Sequence, residues 1–477
     1  MFYDAYASDQ DPVMPETTKY ETKLLSFYGR MSYNYRGRYY FTGTFRGDAS
    51  SVFAKNNKWA LFPSAGLGWN LHKEDFMEAI DWISNTKLRG SYGLSGNQAI
   101  APYQSLSSLG TKNFSFVDGR DLGVFPAYPG NEDLTWETTR QMDVGIDLGF
   151  LKNRYNLTFD YYKKTTDGLL LNMPVLAQSG FSNILSNFGD IVNEGYEVEV
   201  SVRAIKKRDL RWNIDMNWST NEAKIINLNN VEFIDYSTNV SSGSGNSIWP
   251  THRLEEGGKI GNFFGFESDG LLTQEDIDNG YPTLGAAVDV GEMKFVDRNG
   301  DGEISLEDGT VLGNAYPDHI FGINNSITYK RFTLSFLIRG AVGQEVMNML
   351  RFKTSLGAGL RGVSSTDYYH NRWTPENPDG VYPRFTGNPT GISDWLIEDG
   401  SYIRLQNVTL NYRIPQDISW VRNAEIYLTG FNLYTWTNYS GYDPEVSSYG
   451  QNLLRGGVDR GSYPRTTTFT LGVKIGL

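Results

Sequence analysis

Residues 195–218 read GYEVEVSVRAIKKRDLRWNIDMNW. Tyr196, Val198, Val200 and Val202 recur at every second place, and Glu197, Glu199, Ser201 and Arg203 fill the places between. Ile205, Lys206, Lys207 and Arg208 form a short basic turn. Leu210, Trp212, Ile214, Met216 and Trp218 then alternate with Arg211, Asn213, Asp215 and Asn217. Successive side chains leave opposite faces of a strand, so the stretch predicts a hairpin with one apolar and one polar face.

The same unit recurs outward in both directions. Phe27, Gly29, Met31, Tyr33 and Tyr35 alternate with Tyr28, Arg30, Ser32 and Asn34. After the turn Arg36-Gly37-Arg38, Tyr39, Phe41, Gly43 and Phe45 oppose Tyr40, Thr42, Thr44 and Arg46. Further strands are predicted near 58–71, 87–94, 135–150, 155–162, 319–330, 332–338, 401–413, 424–437 and 465–477, which makes thirteen. Those at 401–413 and 424–437 alternate less cleanly, which predicts a bulge. Residues 73–86 predict one short helical turn on a rim. Residues 1–21 are expected to be an incoming loop segment, and 223–317 and 346–400 two long irregular loops.

Short turns at 36–38, 151–154, 205–208 and 330–331 therefore alternate with much longer loops. Outer-membrane barrels have this asymmetry, with short periplasmic turns and long extracellular loops, whereas a soluble sandwich or solenoid has no need of it. Strands of this length cross a bilayer when tilted. Composition agrees: of 477 residues only 39% are hydrophobic, yet 14% are aromatic and 51 are Gly, which suits a wall one residue thick better than a filled core. No apolar run is long enough for a transmembrane helix. The net charge of −12 argues against nucleic acid as a partner. There is no Cys, so disulfide and thiolate chemistry are absent. Met1–Ala5 begins no basic or apolar signal sequence. The expected fold is all-β, a transmembrane antiparallel β-barrel. Because thirteen is odd, the first and last strands run the same way and cannot close on each other as antiparallel neighbours. The chain is thus expected to be the C-terminal portion of a larger barrel, occupying 22–477.

Asp297-x-Asn299-x-Asp301-Gly302-Glu303 followed by Asp308 has the spacing of a 12-residue calcium loop. Asp297, Asn299 and Asp301 offer side-chain oxygens, Glu303 a backbone carbonyl, Gly302 the sharp turn, and Asp308 a shorter group than the usual bidentate Glu. The alternative is an acidic, solvated turn. Trp249, Trp373, Trp395 and Tyr442 are candidates for stacking on sugar rings, or else for loop packing and an interfacial girdle. Polar-face residues such as Glu197, Glu199, Arg211, Asp215, Arg30 and Arg46 either contact substrate or solvate the interior. His72, His252, His319 and His370 are scattered, and Gly357-x-Gly359-x-x-Gly362 lacks the βαβ unit a dinucleotide site needs. No catalytic residues are expected, and the chain is not expected to be an enzyme.

Several stretches resemble the SusC/RagA-type family of TonB-dependent outer-membrane transporters of Bacteroidota. They are Phe62–Trp69, Leu88–Gly93 with Gly96-Asn97-Gln98, Asp297–Ile304, Asn371–Pro378, Ser401–Leu405, Gly441–Glu445 and Tyr463–Thr466. The resemblance spans nearly the whole chain in order. It implies thirteen strands of a 22-stranded barrel whose plug domain lies outside this chain, a size at which plugged transporters are found. It also implies import of oligosaccharides or peptides, energy from the TonB complex through an N-terminal region, and a SusD-like lipoprotein lid. Leu477 departs from the aromatic end common in outer-membrane proteins. A non-transporting surface protein, a truncated barrel without function, and a hydrolase carried on the loops are the other readings.

Overall fold

Thirteen strands hydrogen-bond in chain order into one antiparallel wall in the computed structural model of the chain. The structure describes residues 19–116, 119–181, 183–229, 231–237, 250–282, 289–355, 364–385, 391–415, 423–450 and 452–476. The wall strands are β1 (Leu24–Tyr35), β2 (Tyr39–Ser50), β3 (Trp59–Asn70), β4 (Ile83–Asn97), β5 (Glu137–Phe150), β6 (Tyr155–Asp167) and β7 (Asp190–Lys206). They continue as β8 (Leu210–Thr220), β9 (His319–Tyr329), β10 (Phe332–Val342), β11 (Tyr402–Arg413), β12 (Asn423–Thr437) and β13 (Thr468–Gly476). An extra strand, Glu222–Asn227, pairs with the first residues of β7. Among the described residues β1 and β13 each have a single wall neighbour, so the sheet is open.

The opening hairpin has the expected register, with Val198 opposite Trp218, Val200 opposite Met216 and Val202 opposite Ile214. Its turn is shorter than expected because β7 extends to Lys206. The register shifts between Arg203 and Ile205, and this bulge at Ala204 puts Ile205 opposite Trp212. One extra residue thereby keeps Ile205 on the apolar side. The bulge expected in the strands at 401–413 and 424–437 lies at Gln406, where the pairing steps from Leu405–Tyr434 to Asn407–Phe431. The predicted helical turn is two single 3₁₀ turns, Leu71–Lys73 and Asp75–Met77, and Ile83 already belongs to β4. Arg38 fixes this segment by bonding Glu74 and Asp75, both at 2.9 Å.

Aromatic rings border the apolar face at both ends. Near the long loops Phe27 stacks on Trp59, Trp218 on His319, and Tyr434 packs edge-on to Trp436. Near the short turns Tyr35, Tyr39 and Trp69 stack in sequence, Trp82 stacks on Phe150, and Phe332 packs against Tyr412. Trp59 and Trp69 stand ten residues apart on one strand. At about 3.3 Å per residue and a tilt of about 40°, the belts are about 25 Å apart, the height of the apolar band of an outer-membrane barrel. Between them Met31, Leu61 and Leu67 are 58–66% exposed, which lipid accounts for and water does not. No helix among the described residues is long and apolar enough to span a membrane, a statement about helices alone.

The polar face is cross-linked. Arg89 bonds Asp147 at 3.0 Å and reaches Asp160, two strands away, at 2.8 Å. Gly145 lies between Arg89 and Asp160 in the register, and a side chain there would overlap the Asp160 carboxylate. The absent side chain is what lets the ion pair pass over β5.

The long loops are not irregular, contrary to expectation. Phe233–Ser237, Pro250–Glu255, Asn262–Gly265 and Thr310–Asn314 form a four-stranded sheet. Glu345–Asn348 pairs antiparallel with Ile397–Asp399 and parallel with Val458–Asp459. Loops from three places in the sequence meet in one core, where Phe263, Met347, Phe352, Ile392, Leu396 and Val458 are buried. Smaller hairpins join Ser108–Phe116 to Gly119–Tyr128, and Leu170–Pro174 to Asn183–Asn187. The loops therefore make a folded cap beyond the aromatic belt, over the ends of β9–β12.

Candidate functional site

Where cap meets wall, Arg404 of β11 stands beside Arg339 of β10, and the register also places it opposite Thr435 of β12. Two neighbouring guanidinium groups repel each other unless anions come between them. The cap supplies these from the turn after β12. Arg404 bonds Asp443 at 2.6 Å, Glu445 at 3.0 Å and the Thr435 hydroxyl at 2.8 Å. Glu445 also pairs with Arg339 and, at 2.9 Å, with Arg465. The Arg404 and Asp443 side chains are 2% and 6% exposed, so this pair is shielded from water. Three of the stretches behind the family resemblance, Ser401–Leu405, Gly441–Glu445 and Tyr463–Thr466, converge in this network.

Beside it opens a cavity of about 670 Å³, lined in part by Tyr316, Arg339, Gln344, Tyr402, Glu445 and Ser447. Gln344 is 6% exposed and donates to the Gly400 carbonyl, but its Oε1 accepts nothing among the described residues. Arg339 Nε and Ser447 Oγ likewise lack partners. Buried polar atoms are almost always satisfied, so one donor, one acceptor and one hydroxyl left over beside one cavity suit a polar ligand with both kinds of group. Tyr316 and Tyr402 add aromatic surface. Sequence patterning did not reveal this site, because its residues lie far apart in the chain. The signal lay in the resemblance, three of whose stretches carry Arg404, Asp443, Glu445 and Arg465.

The sequence-derived candidates are dispersed. Trp249 lies outside the described residues. Trp373 packs its ring where a side chain on Gly291 would otherwise stand, and Gly291 has φ 84°. Trp395 packs on the cap core, edge-on to Tyr382 and 4.2 Å from the Arg351 guanidinium. Tyr442 is 67% exposed, next to Asp443. The structure joins Trp373 and Trp395 through Tyr382, whose carbonyl accepts the Trp373 N–H at 2.8 Å, and leaves Tyr442 apart from them. Gly357, Gly359 and Gly362 fall outside the described residues.

The acidic loop is ordered by its own hydrogen bonds. Asp297 accepts the N–H groups of Gly300 and Gly302 at 2.7 and 3.0 Å, and Asp301 accepts that of Glu303 at 2.8 Å. Asp308 is fully buried and accepts backbone N–H groups from Arg298, Asn299 and Ser305. Among the described residues no three carboxylate or imidazole groups converge as a metal cluster. The donors that fit a hard cation are the oxygens of Asp297, Asn299, Asp301 and the Glu303 carbonyl. Asp308 instead closes the loop from within.

His252 sits inside the cap, its Nε2 3.0 Å from the Gly456 carbonyl and its ring against Phe263. Burial pushes its pKa down from 6.5 to about 4, and Arg455 nearby adds to this. The unfolded cap takes up the proton near pH 6.5 and the folded cap only near 4, so stability is full above that window and falls with pH inside it. The loss is about 2 kcal/mol at pH 5. Protease cleavage of the cap should rise from pH 7.5 to pH 5, and His252→Gln should flatten the rise; an equal rise in the variant would assign it to other groups.

The family model described as "TonB dependent receptor-like, beta-barrel" matches residues 2–433. TonB-dependent receptor P3 of Formosa agariphila is 36% identical over 473 residues, covering 97% of this chain and 46% of that protein. TonB-dependent receptor SusC of Bacteroides thetaiotaomicron is 30% identical over 494 residues, covering 99% and 46%. The chain thus spans about half the length of these relatives. The structure of the RagAB peptide transporter superposes with a TM-score of 0.79 at 24% identity, covering 95% of this chain and 48% of that one, a likeness of fold. An open antiparallel wall with two aromatic belts, a folded cap and a family match over most of its length agree, and the chain belongs to the TonB-dependent receptor β-barrel family.

Proposed function

We propose that this chain supplies part of the wall and the extracellular cap of an outer-membrane importer for oligosaccharides or peptides. In this reading β1 and β13 pair with further strands of a 22-stranded barrel, a plug fills the lumen, TonB supplies the energy, and a SusD-like lipoprotein covers the cap. The family is one of receptors and transporters, not a class of enzymes, and it indicates the outer membrane. The observation carrying the reading is the cavity between cap and wall, with its unpaired Gln344, Ser447 and Arg339 groups at the mouth of a polar-faced wall. The peptide option draws on the likeness to RagAB, the oligosaccharide option on the two tyrosines and mixed donors and acceptors. The test is uptake of labelled glycans and peptides by cells making the intact protein, with and without TonB. We expect uptake that needs TonB, and Gln344→Leu should raise the half-saturating concentration about fivefold to tenfold. Binding without TonB-dependent uptake would support the surface-protein reading instead.

We also propose that Asp297, Asn299, Asp301 and the Glu303 carbonyl hold Ca²⁺ as a staple for the 250–314 segment. Chelation should then speed protease cleavage in that segment several-fold, with calcium but not magnesium reversing it, since magnesium sheds water reluctantly. Equal cleavage with and without chelator would leave only a self-bonded turn.

A further inference from the structure

The short-turn rim of β5–β10 is basic at every turn. Lys152 and Arg154 follow β5, Lys206, Lys207 and Arg208 join β7 to β8, and Lys330 and Arg331 join β9 to β10. All seven are exposed, and none has a carboxylate ion-pair partner among the described residues. The chain as a whole carries −12, so this rim has the opposite sign to the molecule.

These cations are placed against the belt. The Arg154 guanidinium lies 5.6 Å from the Tyr155 ring centroid, and Lys330 Nζ lies 5.4 Å from that of Tyr329. Arg36, in the β1–β2 turn two hairpins further round, repeats the arrangement 5.1 Å from Tyr35. Belt tyrosines mark the edge of the hydrocarbon, so a cation beside them stands at the level of lipid phosphates. Arg154 also donates to the carbonyls of Arg203 and Ala204, which braces one turn against the next. Between the turns lies a cleft of about 510 Å³ lined by Leu151, Lys152, Arg154, Arg203, Ile205 and Lys207, among others. Ile205 is on the apolar face opposite Trp212, so the cleft is continuous with the lipid-facing surface.

We propose that this cleft binds the headgroup of an anionic phospholipid in the leaflet at the short turns. Lys152 and Lys207 take the phosphate beside the Arg154 guanidinium, while Leu151 and Ile205 border the glycerol and first acyl carbons. A free phosphate uses the same cations but gains nothing from the apolar side, and a zwitterionic lipid brings its own positive charge to a site that has several. The proposal rests on the membrane reading above.

The experiment uses the intact protein in nanodiscs of equal phosphatidylglycerol and phosphatidylcholine, with retained lipid identified by native mass spectrometry. Co-elution with the disc is scored first, because failure to insert overturns the membrane reading rather than this site. The inserted protein is expected to retain phosphatidylglycerol over phosphatidylcholine by at least about tenfold, less at high salt. Lys152→Gln combined with Lys207→Gln should remove most of that preference, and Lys207→Gln alone should lower it in part without disturbing Arg154. Equal retention of the two lipids, an unchanged preference in the double variant, or displacement of the lipid by millimolar inorganic phosphate would each overturn the proposal.

Discussion

Arg404→Ala is expected to destabilise the cap by about 3–5 kcal/mol, the cost of breaking a buried ion pair from one side. Arg404 contacts two carboxylates and a hydroxyl while almost wholly enclosed, and Asp443 beside it is nearly as enclosed. Without the guanidinium, Asp443 keeps, among the described residues, the N–H groups of Glu445 and Arg465, at 3.0 and 3.4 Å. Glu445 keeps two arginines, so the loss falls mainly on Asp443. The turn at 441–450 should detach from β11 and be cut by protease, and the cap should melt at lower temperature than the wall. Arg404→Met combined with Asp443→Leu should recover much of the loss, because replacing both members of a buried pair avoids leaving a bare charge. An unchanged melting profile in Arg404→Ala would show that the cap is held by its apolar core alone.

Val200→Arg carries the second large effect. Val200 lies opposite Met216, between Trp218 near one belt and Trp212 towards the other. A cation on the lipid face at mid-depth costs about 2–4 kcal/mol in a transmembrane barrel. Ser201→Arg, one residue along, puts the same charge on the polar face, where Ser201 already bonds Asp215 at 2.7 Å. That substitution should change stability by about 0.5 kcal/mol or less. Denaturant unfolding in lipid vesicles would measure both. Equal costs at the two positions would mean that the faces do not meet different solvents.

The wall was legible in the sequence because each of its strands meets two different environments, and a period of two records that difference. Val198, Val200 and Val202 are apolar for one solvent, and Glu197, Glu199 and Ser201 polar for the other. The bulge at Gln406 was legible for the same reason, as a break in the period. The cap was not. Asn262–Gly265 is buried at all four residues, so Asn-Phe-Phe-Gly has no alternation to betray a strand. Its partner Thr310–Asn314 lies almost fifty residues away. The site suffered most from this: Arg339, Arg404, Asp443, Glu445 and Arg465 belong to four separate stretches, and only the folded chain brings them within bonding distance. The acidic loop at Asp297–Asp308 was legible in its spacing, yet spacing did not show that Asp308 faces backbone N–H groups. Trp373 and Trp395 stood out as loop aromatics, but their surroundings, bare Gly291 for one and the Arg351 guanidinium for the other, needed the structure.

The absence of Cys makes the most direct test of the wall simple. Single cysteines placed in turn from Tyr196 to Arg203 in the intact protein would be treated, in whole cells, with a small charged thiol reagent that does not enter lipid. Cysteines at 197, 199, 201 and 203 should react, and those at 196, 198, 200 and 202 should not. Equal reactivity at odd and even positions would contradict a wall with lipid on one side and water on the other.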